Sequence, residues 1–176
     1  MTRARFPHVL AVLSVVLAAS AAHAGGLDIH TDVDAQELGL PAYPGAVRSQ
    51  DGDGGANGFS FGLWGAAFGV KLVVASYDSS DGVDAVAAFY RDALRHYGPV
   101  LDCSANRGKP AASPDQSDGD LKKNVHRPVT CDNDTVEPGG RLFKVGTGAA
   151  QHVFKATPRK GGTHIELVRL EGHADD

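Results

Sequence analysis

The stretch AQHVFKATPRKGGTHIELVRL, residues 150–170, decides the fold because it contains two strands and the turn between them. Both halves are rich in residues that favour strands, and PRKGG is a tight-turn sequence. We take residues 159–162 as the loop, so that Pro158 pairs with Thr163. A register shifted by one residue would move every side chain of a strand to the opposite face.

This register separates polar from apolar side chains. It places Lys155 opposite Glu166, a favourable cross-strand charge pair. It places Phe154 opposite Leu167 on the other side of the sheet. The hairpin is therefore predicted to have one apolar and one polar face.

A helix is predicted within SDGVDAVAAFYRDALRHYGP, residues 80–99. Ser80 or Asp81 is expected to cap its start, and Gly98 with Pro99 to end it. Apolar residues recur at spacings of three and four, which places them on one side of the helix: Val83, Val86, Ala87, Tyr90, Ala93, Leu94 and Tyr97.

Upstream, the segment 59–80 is the most apolar part of the chain after the N-terminal region, and it predicts a hairpin or a sharply bent strand. Its second half, VKLVVASY, is apolar on both parities, which is typical of a strand covered on both faces. Further strands are predicted within 46–50, 99–104, 126–131 and 141–148. The predicted fold class is α+β, with one antiparallel sheet and the helix at 81–97 packed across one face.

The N-terminal residues 1–24 have the three parts of a secretory signal peptide: a basic start, an apolar run of 11 residues and an AHA cleavage site. Cleavage is expected after Ala24. Residues 25–42 are predicted to be an irregular lead-in, and residues 43–172 a single α+β domain with a long loop at 104–128. The predicted location is periplasmic or secreted.

Charge limits the possible partners. The chain has 17 basic and 21 acidic residues, a formal net charge of −4. Two of the basic residues, Arg3 and Arg5, lie in the signal peptide, which leaves 15 against 21, or −6. An acidic chain is a poor partner for nucleic acid, because phosphate binding needs a basic face. No membrane span is expected once the signal peptide is removed.

Cys103 and Cys131 are the two cysteines of the chain. An even number of cysteines in an exported protein predicts a disulfide, with two free buried thiols as the alternative. The bond would tie together the two strands that flank the long loop.

A metal site is considered for QDGDGGANGF, residues 50–59, where Asp51, Asp53 and Asn57 could act as oxygen ligands. The spacing fails the helix–loop–helix calcium pattern, since Gly55 and Gly62 stand where that pattern needs a ligand and a bidentate glutamate. The interpretations that stay open are a glycine-rich turn and a weak calcium contact. No other cofactor is expected.

An aromatic set, Phe59, Phe61, Trp64 and Phe68, alternates with small residues. Core packing is one interpretation. The other is an apolar groove between sheet and helix that accepts a lipid tail or a peptide, since the small residues would leave room for one.

Two motifs resemble a group of small exported bacterial proteins of unknown function. The group shares a Tyr-Pro-Gly-Ala start and a helix with the pattern V..FYR..L...G. The matching residues here are Tyr43, Pro44, Gly45, Ala46, Val86, Phe89, Tyr90, Arg91, Leu94 and Gly98. The resemblance implies an exported α+β domain and supplies no catalytic residue.

The sequence therefore predicts a non-catalytic exported domain that binds an unknown protein or small ligand or supports the cell envelope. The alternatives are a hydrolase-type enzyme with the 104–128 loop as a lid, and a weak calcium-binding module. No Gly-x-Ser-x-Gly motif is present to supply a nucleophile.

Overall fold

A computed structural model describes residues 25–49, 58–105, 126–132 and 134–174. It contains an eight-stranded antiparallel sheet, one main helix and one short helix. The strands are β1 (Gly26–His30), β2 (Val47–Arg48), β3 (Gly58–Trp64), β4 (Phe68–Ser79), β5 (Leu101–Asp102), β6 (Arg141–Gly146), β7 (Ala150–Arg159) and β8 (Gly162–Ala174). The helices are α1 (Ala35–Leu38) and α2 (Val83–Leu94), and a 3-10 turn, Arg95–Tyr97, follows α2.

The strands lie side by side in the order β1-β3-β4-β8-β7-β6-β5, and β2 pairs with the end of β4. Neighbours β3 and β4, β6 and β7, and β7 and β8 are hairpins. The long strand β4 pairs with β8 along its whole length, from Phe68 to Ser79. This central pair joins the N-terminal and C-terminal parts of the chain.

The register predicted for the β7–β8 hairpin is confirmed. Pro158 pairs with Thr163, Lys155 with Glu166 and Phe154 with Leu167. The loop is shorter than predicted, because Arg159 and Gly162 also pair and only residues 160 and 161 remain outside the ladder. Gly161 has a φ of 87° in that loop, a conformation that glycine adopts without steric cost.

The predicted antiparallel sheet with one main helix is confirmed. Helix α2 buries Val86, Ala87, Tyr90 and Leu94, four members of the predicted apolar stripe. The Tyr90 ring stacks on Phe154 of β7 at 4.7 Å between centroids. The largest core cluster joins these helix residues to β4, β6, β7 and β8.

The predicted side-chain cap of α2 is wrong. Gly82 is the residue before the first turn, and no side chain caps the helix. Asp81 instead accepts a hydrogen bond of 2.6 Å from the Tyr43 hydroxyl, and its backbone carbonyl accepts one from Thr163. Asp81 therefore fixes the chain before α2 to β8 and to the segment around Tyr43.

The motif residues Tyr43, Phe89 and Tyr90 contact one another. The Tyr43 and Phe89 rings meet edge to face at 5.2 Å, and Phe89 meets Tyr90 in the same way at 5.1 Å. Edge-to-face pairs add to the stabilisation that comes from burial alone. These residues hold the Tyr-Pro-Gly-Ala segment against helix α2.

The prediction that residues 25–42 are irregular is wrong. They form strand β1, which pairs with β3, and helix α1. The Asp34 carboxylate caps α1 by accepting a bond from the Glu37 amide, and Gly39 ends the helix with a φ of 68°. Leu38 and Leu40 are fully buried, so this segment belongs to the core.

Outside this lead-in, the predicted strand at 126–131 is reduced to an isolated bridge between Pro128 and Thr147. Most of the predicted 104–128 loop, residues 106–125, lies outside the described residues. In the part of the chain that the structure describes, no helix is both long and apolar enough to cross a bilayer.

Replacing Tyr90 tests the central contact of the core. Tyr90→Ala removes a fully buried ring that stacks on Phe154, so we expect the free energy of unfolding to fall by about 3–5 kcal/mol. The measurement is urea unfolding at neutral pH. The control is Asp92→Ala on the exposed side of the same helix, which should change stability by no more than about 0.5 kcal/mol. Equal effects of both variants would contradict the packing described.

Candidate functional site

The two faces of the sheet have different covers. Tyr90 of α2 stacks on Phe154, and Glu37 of α1 binds Lys71 of β4. Because side chains of one parity share a face and these residues are linked through the strand pairings, both helices lie on the same face. We call it the covered face.

The opposite face is apolar over β1, β3, β4 and β8. Its neighbouring rows are given by the strand pairings. We call this surface the open face, and its residues are Leu27, Ile29, Phe59, Phe61, Leu63, Phe68, Val70, Leu72, Val74, Val168 and Leu170. No side chain of this set is fully buried.

Exposure is highest at the margins of the open face. Leu27 and Ile29 are each 64% exposed, Phe68 is 48% exposed and Phe59 is 40% exposed. Isolated apolar residues on a surface are ordinary, whereas a large contiguous apolar patch is a candidate interaction site. The open face is such a patch because its residues occupy adjacent positions on four adjoining strands.

In β1 and β3 apolar and polar side chains alternate in the opposite sense to those of the central strands. The covered face of β3 has Gly58, Ser60 and Gly62 and, at the end of the strand, Trp64, whereas Phe59, Phe61 and Leu63 point the other way. β1 likewise directs Asp28 and His30 to the covered face and its aliphatic residues to the open face. A half-buried strand normally turns its apolar side toward the core, whereas β1 and β3 direct Leu27, Ile29, Phe59 and Phe61 to the open face.

The structure separates the four aromatic residues for which a groove was considered. Phe59, Phe61 and Phe68 belong to the open face. Trp64 lies on the covered face, where its ring fills the space beside Gly26 and Gly62. The four residues therefore do not line one groove between the sheet and helix α2.

The rest of the same sheet side, over β5, β6 and β7, is covered by the residues around Cys103, Cys131 and Val136, which we call the disulfide segment. The predicted bond is present: Cys103 and Cys131 are joined, with their Cα atoms 5.4 Å apart. A second core cluster forms there from Cys103, Val136 and Leu142, with Val153 packed against it. The bond therefore holds a cover over one part of this side and leaves the open face beside it.

Next to the disulfide lies an ion pair of low exposure. The Lys144 ammonium is 2.6 Å from the Asp134 carboxylate, and the two side chains are 17% and 13% exposed. Asp134 is also within 4.8 Å of both sulfurs. Because the sulfurs are bonded to each other, they are not free to bind a metal ion.

On the same side of the sheet as the open face, the end nearest the β7–β8 turn is polar. Lys155 and Glu166 form an ion pair of 3.0 Å, and His164 lies 2.8 Å from Asp78. Burial raises the pKa of Asp78, but the hydrogen bond with His164 opposes this effect and the pKa is lowered. These charges are paired within the chain, so they mark a border of the open face.

On the covered face, Glu37 is the centre of a polar network. Its carboxylate contacts His30 at 3.0 Å, Ser60 at 3.1 Å and Lys71 at 2.9 Å. The hydrogen bond with His30 is the main cause that lowers the pKa of Glu37 to about 2. The same bond raises the pKa of His30. The network ties helix α1 to β1, β3 and β4.

A second polar group lies where α1 meets β7 and β8. The Tyr97 and His152 rings are tilted by 33° with their centroids 3.9 Å apart, and Arg169 donates to the Glu37 carbonyl at 3.0 Å. Burial lowers the pKa of His152. A Cβ on Gly39 would lie 3.2 Å from His152 Nε2, so that nitrogen faces the helix end. The hydrogen bond from Arg169 to the Glu37 carbonyl fixes α1 to the sheet.

Cavities adjoin this group. One of about 240 Å³ is lined by His152, Arg169 and Glu171, and one of about 470 Å³ by Tyr97, Leu101 and Val129. The larger cavity has mainly apolar walls. Neither places a nucleophile beside a base, which acyl-transfer chemistry requires.

The calcium ligands considered in the sequence, Asp51, Asp53 and Asn57, lie outside the described residues. The open face was missed from the sequence because β1 was not predicted. A signal existed in LDIH, residues 27–30, where apolar and polar residues alternate strictly.

Comparisons with known proteins gave no match: no protein-family model, no curated protein and no solved structure is similar to this chain. The site is therefore interpreted from its own geometry.

Removing the disulfide tests its role as a clamp. The bond closes a loop of 29 residues, since the cysteines are 28 positions apart, and the double variant Cys103→Ser, Cys131→Ser should lose about 3–4 kcal/mol of unfolding free energy. The measurement is urea unfolding of oxidised protein. Reduced wild type is the control and should match the variant. Oxidised wild type no more stable than the variant would contradict the clamp.

Glu37 should contribute a pH-dependent part of the stability. A lowered pKa in the folded state means that the contribution is present above the ordinary value of 4.5 and is lost as the pH falls toward 2. We therefore expect Glu37→Gln to be less stable than wild type at pH 7, and the difference to shrink between pH 5 and pH 2.

The urea midpoint measured against pH checks this expectation. Glu166→Gln is the control, because it removes a partly exposed ion pair whose loss should cost about 1 kcal/mol or less. A difference between wild type and Glu37→Gln that stays constant over the acid range would contradict the role of the Glu37 network.

Proposed function

We propose that this protein is a non-catalytic, exported binding domain that docks the apolar surface of another protein on its open face. The observation that carries this proposal is the inverted alternation of β1 and β3, which directs Leu27, Ile29, Phe59 and Phe61 away from the core. Burial of exposed apolar area is the main driving force of protein association. Binding would therefore be driven by this surface.

The shape of the open face favours a protein over a small ligand. A small molecule is held in a concave cavity that buries most of its surface. The open face instead extends over four neighbouring strands. A partner that covers Leu27 on β1 and Leu170 on β8 at once must itself have a broad surface.

Charge favours a protein over an anionic membrane. Surface helices and patches that bind anionic lipid combine apolar residues with lysine and arginine. The chain has a net charge of −4, or −6 after removal of residues 1–24, and the open face has no basic residue. An uncharged apolar protein surface is the matching partner.

The arrangement of the helices supports the same proposal. The main helix packs on the covered face, while the disulfide segment shields the β5–β7 part of the opposite face of the sheet. The remaining apolar strands would be shielded by the partner. In this arrangement the helices cover one face, the disulfide segment covers the β5–β7 part of the opposite face, and the partner covers the open face.

Export is part of the proposal. It is supported by the signal-like composition of residues 1–24 and by the disulfide, which persists in oxidising compartments. Strand β1 begins at Gly26, two residues after the expected cleavage position. The mature protein would therefore begin directly at one edge of the open face.

Site-specific photo-crosslinking in intact cells tests the proposal. A photoreactive amino acid replaces Ile29 in the full-length chain, and a discrete protein adduct is expected on irradiation, because this side chain would be covered by the partner. The matched position is Lys155, at the polar border of the same sheet side, and it should give no such adduct.

Two further measurements complete the test of the proposed docking and export. The adduct at position 29 should disappear when Leu72→Lys is also present, since a lysine at the centre of the open face opposes docking. Crosslinks to lipid alone, or none at position 29, would refute the proposal. A mature N-terminus other than Gly25, found by mass spectrometry, would refute the expected cleavage.

A further inference from the structure

We propose that the partner is a second copy of this chain and that two open faces pack against each other in a symmetric dimer. This inference rests on the proposed function and names the occupant of the same surface. Two antiparallel sheets pack face to face about 10 Å apart, with strand directions within about 30° of each other. The open face supplies one half of such a sandwich.

The size of the open face is near the lower limit for a dimer interface. Strand β1 contributes five residues and β3, β4 and β8 contribute about seven each; at about 3.3 Å per residue and about 4.8 Å between strands they give a surface of roughly 410 Å². Two copies would cover roughly 800 Å² of flat area, and more once the relief of the side chains is included. Specific interfaces begin at about 1,000–1,200 Å² of total buried surface, so a reversible dimer is expected.

The charge pattern suits contact between identical surfaces. In a two-fold symmetric interface the same patch meets itself, so residues near the axis face their own copies. A charge there would meet a like charge. The open face has no charged residue, and the nearest charges at its polar border, such as Lys155 with Glu166, are paired within one chain.

After removal of residues 1–24, the expected signal peptide, the remaining segments outside the described structure do not provide another apolar cover. Residues 50–57, QDGDGGAN, have no large apolar side chain, and residues 106–125 have only Leu121 and Val125. Neither composition matches an aliphatic and aromatic surface of eleven side chains. The open face of a second copy has the same aliphatic and aromatic composition.

Sedimentation velocity of the protein, recovered from expression of the full chain, tests this inference over about 1–100 μM, the range in which a small interface dissociates. Wild type should pass from monomer to dimer within it. The double variant Leu27→Lys, Ile29→Lys should weaken the dimer by about a hundredfold or more, because each lysine would be buried without a partner.

Val47→Lys is the matched control. Val47 is 64% exposed, as are Leu27 and Ile29, but it lies on β2 beside Asp78 at the polar end of the sheet. It should leave the monomer–dimer equilibrium unchanged. A dimer that resists the double variant, or is lost equally with Val47→Lys, would refute packing through the open face.

A photoreactive residue at position 72 of the otherwise unaltered chain gives an independent reading that needs no destabilising variant. An adduct of twice the mass of the chain supports the dimer. Wild type that is monomeric at all concentrations refutes the dimer. In that case an adduct with a different protein retains the proposed function, and the absence of any protein adduct refutes both.

Discussion

The pairing of β4 with β8 is the constraint on which the rest of the structure depends. It places Ala75 beside Leu167 and Tyr77 beside Ile165 on the covered face, along a ladder that runs from one end of β4 to the other. Because side chains alternate strictly along a strand, this one register assigns every residue of both strands to a face. Helix α2, the Glu37 network and the disulfide segment then each occupy a surface that the ladder has defined.

The helices are too short to cover the whole sheet. Helix α2 has 12 residues, and at 1.5 Å per residue it is about 18 Å long, so it spans the β6–β8 part of the sheet. Over β1 and β3 the covered face is polar apart from Trp64, and α1 is held there by the Glu37 carboxylate with Ser60 and Lys71. The other large apolar residues of β1 and β3 lie on the opposite face.

The sequence was sufficient for the hairpin register, the main helix, the disulfide and the class of sheet, because each has a local signal: period-two alternation, a stripe at spacings of three and four, or a cysteine pair. It gave only a weak signal for β1, because the alternation of LDIH covers four residues of a five-residue strand. It was also insufficient for the N-cap of α2, since Asp81 is engaged by Tyr43, a contact between residues 38 positions apart. The open face needed the order of strands, which a local pattern does not contain.

One sequence feature still connects the fold to the proposed role. The run VKLVVASY is apolar on both parities, a pattern typical of strands covered on both faces. In β4 the helix-side residues Val73, Ala75 and Tyr77 are buried, whereas Val70, Leu72 and Val74 are only half-buried. A strand that served one core would need apolar residues on one parity alone. The second set of apolar residues on β4 is continued by Phe59 and Phe61 on β3 and by Val168 and Leu170 on β8. These residues are explained if a second layer from outside the monomer packs on this face of the sheet.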